Sequence, residues 1–321
     1  MSWYEFKKSN SEWIQIAYNF NIESFKNLNT GYSKSHINII SQKLVYKEND
    51  IVKSFTLIKL KKIFNVHIIN IDGGIEGKKD HKVFLSLIDF FNKSYKYFVI
   101  KINQKELIYD KFFISLGFLK ISNDKIYDIY KNLNKINNES SINQSYSQYW
   151  RRNLKRTFRY NLQIENNNIY EKEINYLLND LHNIKKIKNN YNEKSLLNLF
   201  ENFHKNLFIS KAKLNNKICS IRAIIFFKNK AWDILSATNL VGRRCYASYA
   251  VTNEVVQFCI KNNIDYYDLS GVDLHKNISV YNFKKGLGGE LKEISSEMIF
   301  SNFLILKILF KFIFKLRLKF S

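Results

Sequence analysis

The stretch DLSGVDLHKNISVYNFKKGLGGE, residues 268–290, places four glycines, an adjacent lysine pair and the rings of Tyr281 and Phe283 directly after the strand-like run IDYYDL. Loops at strand ends are where mixed sheets build sites, so Asp268, Ser270, Gly271 and Asp273 read as a pocket rim. Gly286, Gly288 and Gly289 let backbone approach a ligand with no Cβ in the way. Lys284 and Lys285, read as exposed donors, supply N–H groups for a phosphate, a carboxylate or a developing oxyanion. In an extended segment Tyr281 and Phe283 share one face. Asp268 can orient or deprotonate an attacking amine, or pair with a nearby lysine. The same residues also fit a β-hairpin whose glycines make the turn and whose lysines are solvated.

Outward from this stretch, one plan occurs twice. INIISQKLVYK, IVKSFTLIKL and IFNVHIINI, within residues 37–71, are β-branched, aromatic runs that predict an antiparallel meander. After the break DGG (72–74), KKDHKVFLSLIDFFNKS has helical spacing and YKYFVIKI returns as a strand. KELIYDKFFISLGF is a helix stopped by Gly117, and KIYDIYKNL is expected to close the unit. Beyond the polar run 134–145 the order recurs. A helix from YSQYWRRNLKRTFRY and helices around 170–182 and 192–207 lead to the strands LFISKAKL, KICSIRAIIFFK and KAWDILSATN; then come a helix from YASYAVTNEVVQFCIKNN, a strand IDYYDLSG and the opening stretch. The expected organisation is a first α+β domain over 1–133, a linker over 134–145, a second domain over 146–297 and a tail over 298–321.

Composition limits the chemistry. A formal charge of +23 over 321 residues favours anionic partners, although the Lys-, Asn- and Ile-rich, proline-free composition also fits an A/T-rich coding sequence. Three scattered cysteines without CxxC spacing support neither a zinc site nor a disulfide framework and read as buried thiols of a reducing cytoplasm. MSWYEFKKSN lacks the apolar core of a secretion signal. No GxGxxG, Walker A, HExxH or GxSxG occurs, and His36, His67, His81, His182, His204 and His275 lack ligand spacing, so no metal is expected. His275 is the histidine inside the candidate loop.

Two further segments carry charge. WRRNLKRTFRY puts Arg151, Lys155 and Arg159 at intervals of four with Arg152 and Arg156 beside them, a cationic stripe suited to a phosphate-bearing ligand or RNA. MIFSNFLILKILFKFIFKLRLKFS repeats Lys307, Lys311, Lys315 and Lys319 among aromatic and aliphatic residues. Too short in its uncharged run to span a bilayer, it predicts an amphipathic helix that lies on an anionic membrane or packs on the protein's own core.

The order of elements resembles the GNAT acyltransferase fold in tandem, each copy a mixed, mainly antiparallel sheet flanked by helices. The second half is similar to the Fem-type (FemABX) peptidyltransferases and the BioF-like acetyltransferase domain. WRRNLKRTFRY resembles their basic entry helix, NEVVQFCIKNNIDYYDLSGVD their helix-then-strand segment, and VYNFKKGLGGELKEI their LYxFKxGFGGE signature. The resemblance implies an acyltransferase in which Lys284, directly after the signature Phe283, stabilises the acyl-transfer intermediate. It implies an aminoacyl-tRNA or acyl-CoA donor and no resident cofactor. Tyr281, Phe283, Lys285, Gly288, Arg152, Arg156 and Arg243 are expected to bind substrate. The acceptor would be a phosphate-bearing or lipid-linked cell-wall or glycolipid precursor, with tRNA as a further partner, at the inner membrane face. CoA-dependent relatives carry a glycine-rich pyrophosphate loop where this chain has LVGRRCYAS followed by Tyr249, and Tyr246, Ala247 and Tyr249 stand where glycines would. That departure favours a donor other than CoA, although Gly242, Arg243 and Arg244 at a helix start could still hold phosphate. The family's inserted helical arm, which contacts tRNA in some members, has no counterpart, which weighs the other way. The alternatives are a CoA-dependent N-acyltransferase acting on an amino sugar and a non-catalytic adaptor on a lipid surface.

Overall fold

Asn49 and Asp50 both have left-handed backbone, with φ of 50° and 60°, the conformation that closes a two-residue hairpin. They join β2 (Ile40–Glu48) to β3 (Ile51–Ile63) in one unit, in which β1 (Ser2–Glu5) pairs with the other edge of β2. A computed structural model of the chain describes residues 2–29, 39–134, 136, 138–168, 170–185 and 193–320, with backbone alone at 139, 171, 178, 181–185, 193–195 and 317–320. His36 and the side chain of His182 therefore lie outside the described residues.

The chain divides into two units, residues 1–126 with 293–321, and residues 127–292. In the first, β3 continues antiparallel to β4 (Val66–Ile71), and β5 (Glu76–Gly77) pairs with β3 from the side. β6 (Tyr97–Ile102) pairs in parallel with β4 over the whole of both strands. β7 (Leu119–Lys120) completes the run at the sheet's far edge. Helix α1 (Asn10–Tyr18) starts in a capping box between Ser9 and Glu12, and α2 (His81–Ser94) starts with Asp80 accepting from the Val83 N–H. Val83, Phe84, Leu87, Ile88 and Phe91, at helical spacing, put one face of α2 into the core against Ile69, Ile71, Phe98 and Ile100. α3 (Tyr109–Ser115) ends at Gly117, whose φ of 82° permits the left-handed stop predicted for it.

The second unit begins with β8 (Ile126–Asn132), α4 (Glu139–Ser145) and α5 (Gln148–Thr157), followed by β9 (Gln163–Asn166), α6 (Glu171–Lys185) and α7 (Glu193–Asn202). Strands β10 (Leu207–Leu214), β11 (Lys217–Phe227) and β12 (Lys230–Thr238) form an antiparallel meander with β9. After α8 (Leu240–Arg244) and α9 (Ala247–Lys261), β13 (Tyr266–Val272) pairs in parallel with β12. α10 (Ile278–Gly286) and β14 (Glu290–Ile294) follow, and the strand order is β14-β8-β13-β12-β11-β10-β9.

Two strands leave the half of the sequence that precedes them. KIYDIYKNL, expected to close the first unit, is β8 and lies between β13 and β14. β15 (Met298–Ser301), the start of the expected tail, lies between β6 and β7 of the first sheet. The unit boundaries therefore fall at 126/127 and 292/293 and differ from those expected at 133 and 297. A connection of hairpin length looks the same in sequence whether or not the next strand pairs with the last one. The expected linker also carries structure: Asn138 caps α4, and Ile142, 5% exposed, joins the second unit's core. In the tail, α11 (Leu304–Phe320) lays Phe310 and Phe314 on Ile68, Val99 and Ile299 of the first sheet and on Ile121, just past β7. Among the described residues no helix is long and apolar enough to cross a membrane.

Candidate active site

The parallel pairing of β12 with β13 stops early. Lys230, Ala231 and Trp232 pair with Tyr266, Tyr267 and Asp268, yet β12 runs on to Thr238 and β13 to Val272. Both strands bulge where they part: Ile234 is the extra residue between the β12 partners of Ala223 and Ile224, and the β13 register against β8 shifts between Asp268 and Gly271. Bulges bend strands and re-aim side chains, and they are common beside active sites. In the β13 bulge Ser270 has left-handed backbone, φ 64°. Its N–H donates to Asp268 Oδ1 at 2.8 Å, and its Oγ donates to the Asp233 carbonyl at 2.8 Å, tying the parted strands together. In the first unit β4 and β6 stay paired for six consecutive residues. The loop after β4 is tied down there, with Asn27 Nδ2 donating to the Gly73 and Gly74 carbonyls at 3.1 and 3.2 Å. The opening is thus in the second sheet.

Beneath it lies a buried polar group drawn from four elements. Arg222 on β11 donates to Asp233 on β12 through Nε at 3.0 Å and Nη2 at 2.8 Å, and to Thr252 of α9 at 2.9 Å. Tyr267 Oη of β13 lies 2.9 Å from Arg222 Nε and donates to Asp233 Oδ1 at 3.2 Å. Burial opposes the Arg222 charge, but Asp233 and Tyr267 outweigh it and hold its pKa above the ordinary value. Burial likewise pushes the Tyr267 hydroxyl well above its usual pKa. The pair is therefore a fixed charge arrangement on the floor of the opening.

The opening stretch folds as a helix rather than a hairpin. Asp273 Oδ1 accepts from the N–H groups of His275 and Lys276 at 2.8 and 2.7 Å, a local turn that leads into α10. Lys284 is buried, 8% exposed, not the exposed donor expected. Its Nζ donates to the carbonyls of Gly271 at 2.9 Å and Ser270 at 3.3 Å, both turned toward it by the bulge. Burial lowers its pKa from the ordinary lysine value, with Asp233 the strongest opposing influence and Asp268 and Asp128 adding to it. Tyr281 and Phe283 do not share a face as an extended segment would have them; both rings are half-buried against the second unit's core. Lys285 is exposed.

The glycines at the end of α10 are explained by packing. Gly288 has φ of 89°, and a Cβ there would lie 2.4 Å from the Ser145 carbonyl oxygen; one at Gly289 would lie 2.3 Å from Ile129 Cγ2. The N–H groups of Gly288 and Gly289 close the helix on the carbonyls of Lys285 and Lys284. Beneath this end Lys131, 1% exposed, donates to the Leu287 carbonyl at 2.7 Å and Ser145 Oγ at 2.8 Å. Burial pushes its pKa down to about 8.

An aromatic wall joins α5, α9 and α10. Trp150 stands 4.2 Å from Tyr146, 5.1 Å from Tyr249 and 6.0 Å from Phe283 by ring centroids, and the Arg222 guanidinium lies 5.8 Å from the Phe283 ring. The basic entry helix contributes less of a stripe than its spacing suggests. Arg151 donates to the carbonyls of Asn143 and Tyr146 at 3.2 and 2.8 Å, and Arg156 to Tyr246 Oη at 3.0 Å. Arg152 is exposed, as are Arg243 and His275. Arg243 and Arg244 occupy the last turn of α8, where cations suit the helix dipole, rather than a helix start. Gly242 gives no phosphate cradle: a Cβ on it would lie 2.2 Å from the Cys219 carbonyl oxygen, and its N–H donates to Asn239 Oδ1 at 2.8 Å. The three cysteines are free and buried, as read from the sequence. Among the described residues no cluster of His, Cys, Asp or Glu could hold a metal ion.

The structure thus brings Lys284 and Asp268 together with Ser270 of the expected pocket rim, and with Arg222, Asp233, Tyr267 and Thr252, which no sequence motif singles out. A signal was present for Arg222, an arginine inside the apolar run KICSIRAIIFF, because a charged residue in a buried strand requires a partner.

Residues 160–312 match the model of the FemAB family. No curated protein matches the chain. A crystal structure of FemX superposes with a TM-score of 0.81 over 96% of this chain and 100% of its own, at 12% identity. A tandem GNAT protein from the clavulanic acid biosynthesis pathway gives 0.58 over 94% and 98%, at 8% identity. The L-PGS structure from Bacillus licheniformis gives 0.57 over 94% and 96%, at 12% identity. At these identities the likeness is one of fold, and the fold is the tandem GNAT-like arrangement read from the sequence. The acyltransferase class and the Fem-type resemblance of VYNFKKGLGGELKEI agree with the family match.

Proposed function

We propose, taking the FemAB match of residues 160–312 as premise, that the protein transfers an aminoacyl group from an activated ester to an amine of a cell-wall or glycolipid precursor at the inner membrane face. The observation that carries this reading is the placing of Lys284: an ammonium buried where β12 and β13 part, fixed by the Gly271 and Ser270 carbonyls above the Arg222–Asp233 pair. The substrate amine bonds to the ester carbonyl carbon and the C=O electron pair moves onto oxygen, where the remaining Lys284 N–H donates to the oxyanion. Such a donor is worth roughly 2.7–4 kcal/mol of barrier. Collapse breaks the ester C–O bond, and the leaving oxygen takes the proton that the amine gives up. Asp268 serves by positioning: its carboxylate holds the Ser270 N–H, and with it the bulge that presents two carbonyls to Lys284.

The donor is an aminoacyl ester of tRNA rather than acyl-CoA, because the side chains of Tyr246 and Tyr249 occupy the start of α9 and Gly242 is committed to packing on β11. Exposed Arg152, Arg243 and Lys285 supply phosphate contacts. Purified protein incubated with charged tRNA and a lipid-linked precursor should add one aminoacyl mass to the precursor by mass spectrometry. Precursor binding without any mass gain would instead support the adaptor reading.

A further inference from the structure

We propose that the outward face of α11, together with the β3–β4 turn, docks the protein on an anionic lipid bilayer while the inward face of the helix stays on its own sheet. This surface is separate from the transfer site and does not depend on it. α11 has two apolar faces. Phe310 and Phe314, each 9% exposed, point inward. Leu304, Ile305, Ile308, Leu309 and Phe312, between 49% and 66% exposed, and Leu316 at 38%, form a continuous stripe at helical spacing on the other side. Packing on the sheet accounts for the first face only. An exposed apolar stripe of this length marks an interaction surface.

Charge identifies the partner. The segment 298–321 carries Lys307, Lys311, Lys315, Arg317 and Lys319 and no acidic residue. Apolar side chains bordered by cations match an acyl layer bordered by anionic headgroups. A second feature, remote in sequence, has the same character. The β3–β4 turn presents Phe64, 93% exposed with φ of 50°, and Ile63, 36% exposed, beside exposed Lys61 and Lys62. Ile63 pairs with Val66 and Val66 with Tyr97, and the Tyr97 ring lies 5.9 Å from Phe303. The turn and the start of α11 therefore share one end of the first sheet. A flat bilayer engages both, whereas a helical partner along α11 engages one. Since no described helix is long and apolar enough to cross, α11 would lie in the interface, its stripe roughly 5–10 Å deep.

The test is flotation of the full-length protein with vesicles of phosphatidylcholine, with and without phosphatidylglycerol. The wild type should float with the anionic vesicles and largely fail to float with the neutral ones. Ile308→Gln with Phe312→Gln, and separately Phe64→Ser, should weaken binding roughly tenfold or more at an unchanged melting temperature, since these residues are exposed. Lys315→Ala should weaken it about fivefold, a difference that high salt removes. Truncation of α11 is unsuitable, because it also strips Phe310 and Phe314 from the apolar cluster with Ile68, Val99 and Ile299. The proposal fails if the wild type does not float or if the outward-face variants float as it does. It fails equally if the protein is a dimer that these substitutions dissociate with no vesicle binding at all, which would make the face a contact between two copies.

Discussion

Arg222 and Asp233 form a two-pronged ion pair, Nε to Oδ1 at 3.0 Å and Nη2 to Oδ2 at 2.8 Å, with side chains 2% and 8% exposed. Removing one partner from such a pair leaves a buried charge uncompensated, at a cost of about 3–5 kcal/mol. Asp233→Ala should lose that much stability in denaturant unfolding, while Arg222→Met combined with Asp233→Leu should lose distinctly less. Equal losses in the two would show that the pair is not the source of the effect.

Gly288→Ala tests whether the glycine serves the backbone or a ligand. With φ of 89° and a Cβ 2.4 Å from the Ser145 carbonyl oxygen, the alanine should destabilise by about 1–3 kcal/mol. The melting temperature should fall while KM of the folded fraction stays unchanged. A raised KM at wild-type stability would return Gly288 to the substrate surface.

Lys131 gives a pH signature. Its pKa in the fold is about 8 against an ordinary 10.5, by burial. Between these values the unfolded chain holds a proton that the native one has released, so stability rises with pH through this window. The burden below pH 8 is about 3 kcal/mol. The stability of the wild type minus that of Lys131→Met should therefore climb from pH 8 to 10.5 in paired denaturation curves. A flat difference would mean that Lys131 keeps its charge without cost.

CoA should leave the melting temperature unchanged, because the place of the pyrophosphate loop is filled by Tyr246, Tyr249 and the packed Gly242. A ligand at 100 times its Kd would stabilise by about 2.7 kcal/mol. A CoA-induced rise of several degrees would favour the CoA-dependent N-acyltransferase.

Much of the fold was legible because its signals are local. The β-branched and aromatic run IVKSFTLIKL and the helical spacing of KKDHKVFLSLIDFFNKS depend on neighbours a few residues away, and both form the expected elements. The exchange of β8 and β15 between the sheets was not legible, since strand pairing across the fold leaves no trace in a short connection. In the site, VYNFKKGLGGE marked Lys284 but misplaced it as a surface donor, because α10 and the β13 bulge that bury it are set by tertiary contacts. Arg222 and Asp233 stand on different strands and meet only through the β11–β12 register and its bulge, so neither position alone announced the pair.

The central claim, that the buried ammonium of Lys284 stabilises the oxyanion of acyl transfer, is tested most directly by steady-state kinetics of Lys284→Met. The substitution keeps length and apolar packing but removes the donors to the Ser270 and Gly271 carbonyls, so about 1–3 kcal/mol of stability should go with it, and rates must be taken per folded molecule. The account predicts that kcat falls roughly 10²–10³-fold with KM little changed. Wild-type kcat in the folded variant would contradict it.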